Sequence, residues 1–242
     1  MRYLFGFLCV CALGVVPLVG CSETAGDGGG CGGSGTATLT VLPLEIDEQD
    51  HGTPLPGVTV CENGTTNCDL SDSTGRAVLQ LCVDQETSYT VEKDEYGSQL
   101  RADVLTAAGD TVGPFMRVDA DLKIQYERVM SPYPQVDTGT VYVLVGQVGG
   151  GSIEGATLKL IGATGGTAFY LDEEGKWDPD LPATTSTGQG GFVEVRSGLV
   201  EVEIGGTASN CLVVRAWPSD SANTIRLPVR QDYMTVAVVN CD

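Results

Sequence analysis

The chain has 242 residues and a formal charge of −19, from 13 Lys and Arg against 32 Asp and Glu. Binding nucleic acid requires cations that displace counterions from phosphates, so this balance excludes nucleic acid as a partner and disfavours adhesion to anionic lipid. Hydrophobic residues at 42% allow a packed core, and 33 glycines among abundant Val and Thr favour strands joined by tight turns.

Residues 1–20 have the layout of an export signal. Arg2 is basic, residues 3–19 are almost wholly apolar, and the stretch closes on Leu18-Val19-Gly20-Cys21. It falls short of the roughly 20 apolar residues of a spanning helix, and no later stretch is long or apolar enough to span. Leu-Val-Gly-Cys resembles the lipobox of bacterial lipoproteins. That resemblance implies cleavage before Cys21, diacylation of its thiol and acylation of the new amine. Two or three acyl chains anchor stably where one does not. Ser22 rather than Asp follows the cysteine, which by the same resemblance implies the outer membrane.

Residues 21–35 form the lipidated end and a tether. The run Gly28-Gly29-Gly30-Cys31-Gly32-Gly33 has too little apolar surface to fold by itself. Such a chain spans roughly 20 Å on average and about 50 Å fully extended, which keeps the folded part near the membrane.

From Thr36 on, short strand-like runs alternate with turn clusters. Residues 36–129 hold Leu39-Thr40-Val41, Val58-Thr59-Val60, Ala77 to Val83, Tyr89-Thr90-Val91 and Leu122-Lys123-Ile124. Residues 130–139, with Pro132 and Pro134, predict an extended linker. Residues 140–242 resume with strands at 141–145, 156–161, 192–195, 200–204, 212–214 and 235–239. No window has a sustained helical period. The halves repeat one another: Pro56-Gly57-Val58 precedes Ser73-Thr74-Gly75, and Glu154-Gly155-Ala156 precedes Ser186-Thr187-Gly188, with matching strand parity. The expected fold is all-β, two tandem sandwiches.

Pro54-Leu55-Pro56-Gly57-Val58-Thr59-Val60, Asp72-Ser73-Thr74-Gly75 and Tyr89-Thr90-Val91 resemble the carboxypeptidase regulatory-like domain, over about residues 38–97. The second half fits that pattern more loosely. The resemblance implies a transthyretin-like (prealbumin-like) or Ig-like sandwich serving as a non-catalytic accessory module.

Without Cys9, Cys11 and Cys21, six cysteines remain, an even number that in an exported chain points to disulfides. Cys211 and Cys241 are alone in their half. Cys61 and Cys68 flank the Asn63-Gly64 turn signal. Cys31 is then left for Cys82; a Cys61–Cys82 bridge is the alternative. Zinc is not expected, with one histidine and no Cys-x-x-Cys.

Chemistry-bearing patterns are sparse. His51 is the only histidine and sits in a polar loop, and no Gly-x-Ser-x-Gly elbow supplies a nucleophile. The glycine runs lack the Lys-Ser/Thr ending of a phosphate loop. The segment carrying Tyr170, Asp172, Glu173, Glu174, Trp177, Asp178 and Asp180 is a candidate contact surface, since aromatic anchors on an insertion between strands suit binding; the alternative is that Trp177 folds back to cover the sandwich edge. The expected role is therefore non-enzymatic: a membrane-anchored envelope scaffold that binds a protein or glycan, without cofactor or metal. Alternatives are a calcium-dependent adhesin module, with calcium on the 172–180 acids or on Asp69 and Asp72, and a glycan hydrolase using Asp172, Asp178 and Asp180.

Overall fold

The computed structural model describes residue 31 and residues 34–46, 52–163 and 165–242. The signal segment, Cys21, His51 and most of the tether lie outside the described residues. Twenty strands and one helix follow in order: β1 (Thr36–Val41), β2 (Leu44–Ile46), β3 (Gly52–Pro54), β4 (Thr59–Glu62), β5 (Cys68–Leu70), β6 (Ala77–Cys82), β7 (Glu86–Glu92), β8 (Gln99–Val104), β9 (Asp110–Val112), β10 (Phe115–Met116), α1 (Asp119–Arg128), β11 (Thr138–Gln147), β12 (Ala156–Ile161), β13 (Gly165–Leu171), β14 (Trp177–Asp178), β15 (Gln189–Arg196), β16 (Gly198–Gly206), β17 (Leu212–Arg215), β18 (Trp217–Pro218), β19 (Thr224–Val229) and β20 (Met234–Cys241). Among the described residues no helix is long and apolar enough to cross a membrane.

The fold is nearly all β, and its two sandwiches share a sheet. That sheet runs β14-β13-β15-β11-β20-β8-β7-β4-β5, with β17 also on β20. The seam is β20, which pairs parallel with β11 along its whole length and parallel with β8 through Met234 to Val236. Of the three other sheets, β10-β2-β3 is a small one beside the first sandwich, and the other two cover opposite faces of the shared sheet. Sheet β6-β1-β9 closes the first sandwich over Leu39, Val58, Val60, Leu79, Leu81, Tyr89 and Val91. Sheet β12-β16-β19-β18 closes the second over Val141, Val143, Val145, Val202, Ile204, Leu227 and Val239. The period-2 alternation read from sequence drives this: in β11 Val141, Val143 and Val145 point one way, while Tyr142 and Leu144 point the other.

The disulfides join Cys31 to Cys82, Cys61 to Cys68 and Cys211 to Cys241. Cys61 and Cys68 face each other directly across the β4–β5 hairpin, and Cys82 ends β6, within reach of Cys31. In the chain-entropy model these links stabilise by about 4, 2.5 and 3.7 kcal/mol respectively.

Two expectations need correction. Leu122-Lys123-Ile124 is not a strand but the middle of α1. The helix buries only Leu122 and Tyr126, spaced i, i+4, a stripe too narrow to show as a period in sequence. Asp119 and Asp121 in its first turn and Arg128 in its last complement the helix dipole. The proline-containing stretch expected as a linker is packed rather than free. Ser131 and Gln135 are buried, the backbone N–H of Gln135 donates to Asp232 at 3.1 Å, and β11 already begins at Thr138.

The sandwiches are further held by an ion cluster. Arg215 of β17 lies 3.2 Å from Asp103 of β8 and also contacts Asp110 of β9. Burial works against the charged Arg215, but Asp110 and Asp103 outweigh it, so its pKa is raised. Burial raises the pKa of Asp103 despite Arg215, whereas the hydrogen bond from Arg215 lowers that of Asp110.

Candidate functional site

The shared sheet leaves part of one face uncovered, between the β2/β10 edge of the first sandwich and α1. A cleft of about 500 Å³ opens there, a size typical of small-molecule sites. Strand pairing sets out its floor in rows. Tyr142, Val236 and Arg101 stand side by side on β11, β20 and β8; beside them run Leu144 and Val238, with Gln189 opposite Leu144, and Met234 with Gln99. Phe115 forms one wall, half-exposed; Leu122, Gln125, Leu171 and Trp177 form the other.

The far wall is built on aromatic packing. Trp177 stacks on Phe169 at 4.1 Å between centroids and meets Tyr126 edge-on at 5.0 Å. Gly191 makes room for Phe169: a Cβ there would lie 2.0 Å from the Val141 carbonyl and 3.1 Å from the Phe169 ring. Gly97 does the same for the helix, since a Cβ would lie 2.0 Å from Leu122. Helix α1 grips β14 through backbone groups. The Trp177 N–H donates to Gln125 Oε1 at 2.9 Å, and Arg128 Nε donates to the Trp177 carbonyl at 3.0 Å. Burial pushes the Tyr126 phenol up to about 12, with its oxygen 2.7 Å from Thr140 Oγ1.

The structure separates the residues grouped by sequence. Trp177 and Tyr170 are buried, at 4% and 5% exposure. Neither offers its ring as an exposed anchor. Tyr170 turns into the second sandwich, where its hydroxyl accepts the Leu158 N–H at 2.9 Å. Trp177 lines the cleft while remaining almost wholly buried. The acids between them form a hairpin turn. Asp172 Oδ1 accepts the N–H groups of Glu174 and Lys176 at 3.0 and 2.8 Å, and Asp178 Oδ1 accepts that of Asp180 at 2.8 Å. Glu173 and Glu174 stand exposed on the cleft rim, Glu173 accepting from Ser186.

Asp72 is likewise used locally. Its Oδ1 accepts from the Thr74 hydroxyl, a bond that lowers its pKa, and from the N–H groups of Thr74 and Arg76. Asp69 Oδ2 accepts the Val78 N–H at 2.7 Å. Among the described residues no cluster of three metal-ligating side chains occurs. With these oxygens turned to their own backbone, millimolar calcium is expected to leave the thermal melting midpoint unchanged. A calcium-induced rise of several degrees would restore the adhesin alternative.

Sequence reasoning did not mark Arg101. Its Nε and Nη2 both donate to Gln99 Oε1, at 3.1 and 2.8 Å, and Gln99 Nε2 is held by the Phe115 carbonyl. Burial lowers the pKa of Arg101. Its only signal in sequence is a cation in a strand where Gln99, Arg101 and Asp103 alternate with apolar Leu100 and Ala102.

No family model and no curated protein matches this chain. Among solved structures it is similar to the Bacillus anthracis TIE protein, at 12% identity and a TM-score of 0.28, over 86% of this chain and 34% of that one. GBS52, the minor pilin of Streptococcus agalactiae, is 11% identical with a TM-score of 0.28, over 85% and 95% of the two chains. The shaft pilin SpaA of Lactobacillus rhamnosus GG is 10% identical with a TM-score of 0.26, over 86% and 98%. The chain thus spans about a third of the TIE protein and nearly all of each pilin. Likeness at these scores carries no inference about role.

Proposed function

We propose that this chain is a non-enzymatic binding protein of the bacterial envelope, anchored by lipid on Cys21 and using the seam cleft as its contact site. The observation that carries the binding role is the cleft itself, a formed concavity to which both sandwiches contribute floor residues. Among the described residues its lining has arginines, amides, aromatics and aliphatics, but no serine, cysteine, histidine or aspartate. The two glutamates among the described lining residues are neighbours on one rim, whereas glycoside hydrolysis needs carboxyl groups on either side of the scissile bond. None of Asp172, Asp178 and Asp180 lines it. The anchor is supported by the Leu18-Val19-Gly20-Cys21 pattern behind an apolar leader.

Two measurements test this. A fatty-acid probe fed to expressing cells is expected to label the protein and to be absent from Cys21→Ser; equal labelling of the variant removes the anchor. Immobilised protein is expected to retain an envelope component saturably, and Leu144→Trp, which fills the cleft, to abolish retention. Unchanged retention by Leu144→Trp moves the contact site elsewhere.

A further inference from the structure

Arg101 is out of balance with the rest of the molecule. The chain carries 13 cationic side chains and 32 acidic ones, yet among the described residues no carboxylate lies within ion-pair distance of this guanidinium. The nearest acid on its own strand, Asp103, is engaged by Arg215 and by the Tyr89 hydroxyl at 3.4 Å. Among the described residues the hydrogen-bond partner of Arg101 is the neutral Gln99 amide, which takes Nε and Nη2 and is itself fixed by the Phe115 backbone. Asp103 attracts the guanidinium only from beyond ion-pair distance, and a partly buried cation so weakly compensated is costly. A guanidinium has five N–H donors in a rigid fork, and Gln99 uses two of them. The rest of the group is held at a fixed angle on the cleft floor, beside Val236 and close to Val238, Leu144 and Tyr142.

We propose that the cleft binds an organic monocarboxylate with an apolar or aromatic body, its carboxylate taken by Arg101 and its body laid over Val236, Val238, Leu144 and Tyr142 toward Trp177. This deepens the binding role proposed above and rests on it. The planar fork of arginine matches a carboxylate in geometry and charge. A single negative charge suits the site better than a phosphate dianion, because Asp103 lies two residues along the strand and Glu173 and Glu174 stand on the rim. The apolar floor accounts for the rest of the ligand, since apolar lining with a few placed polar groups is how such sites gain affinity and orientation.

Isothermal titration of the full exported chain carrying Cys21→Ser, which keeps lipid and detergent out of the measurement, tests this. The probes are 3-phenylpropionate, octanoate, the neutral amides of both, and inorganic phosphate. The acids are expected to bind at least tenfold tighter than their amides, with phosphate not competing. Arg101→Gln is expected to lose at least tenfold for the acids and little for the amides, and Arg101→Lys to fall between. Leu144→Trp, which keeps Arg101, is expected to abolish binding of both. Melting curves check that each variant is folded. Equal binding of acid and amide, full binding by folded Arg101→Gln, competition by phosphate, or no binding of any probe each overturns the inference. If no acid binds while Leu144→Trp still abolishes retention of an envelope component, the carboxylate assignment alone fails and the binding role stands.

Discussion

Arg215→Met is expected to lower the unfolding free energy by about 3–5 kcal/mol, because it strands a buried carboxylate. Asp103 is 2% exposed, and Arg215 is the cation within ion-pair distance of it. The loss should depend on pH with a definite sign. Burial already raises the pKa of Asp103, and removing Arg215 raises it further. A carboxyl whose folded pKa lies above its unfolded value favours the native state only while protonated. The deficit of Arg215→Met is therefore largest at neutral pH and shrinks as pH falls toward the ordinary carboxylate range. Adding Asp103→Asn should recover most of it at pH 7. Urea denaturation of the three proteins at neutral and acid pH provides the check; a deficit independent of pH would place the cost in lost packing instead.

Trp177→Ala is expected to cost about 3–5 kcal/mol, the range for emptying a buried aromatic site. The ring stands between Phe169 and Tyr126, and the helix grips the same residue through its backbone. Trp177→Phe keeps the stacking with Phe169 and should cost less than half as much. The alanine variant should also lose near-ultraviolet dichroism and bind the carboxylate probes poorly, because the wall of the cleft collapses into the space left. An exposed contact residue behaves in the opposite way, with binding lost and stability within about 0.5 kcal/mol of the parent.

The strands were legible because alternation is a local signal. Val58 and Val60, Leu79 and Leu81, and Val141 to Val145 each display it over three to five residues. The cysteines were legible for a related reason: Cys61 and Cys68 flank a turn and end in register. What failed was long-range or sparse. Two buried residues, Leu122 and Tyr126, make a helix face that local alternation mimics as a strand. The parallel pairing of β20 with β8 links residues more than 130 positions apart and leaves no local trace. The cleft depends on that pairing, so neither it nor Arg101 emerged from motif reading. Trp177 was legible as notable, either as a contact anchor or folded back over the sandwich edge, but its packing partners were not, because Phe169, Gly191 and Tyr126 come from three separate stretches of chain.

The position of β20 also bears on how the protein is made. Of the strands described it comes last in the chain, yet it lies between β11 and β8. Until it arrives, β8 has an open edge whose unpaired N–H and C=O groups can recruit a wrong strand. The first sandwich therefore waits, incomplete at its seam, through the synthesis of more than a hundred further residues. A cell producing this protein has to hold the chain unpaired over that interval, and damage to Met234–Val236 should surface as aggregation during biogenesis before any defect appears in the finished molecule.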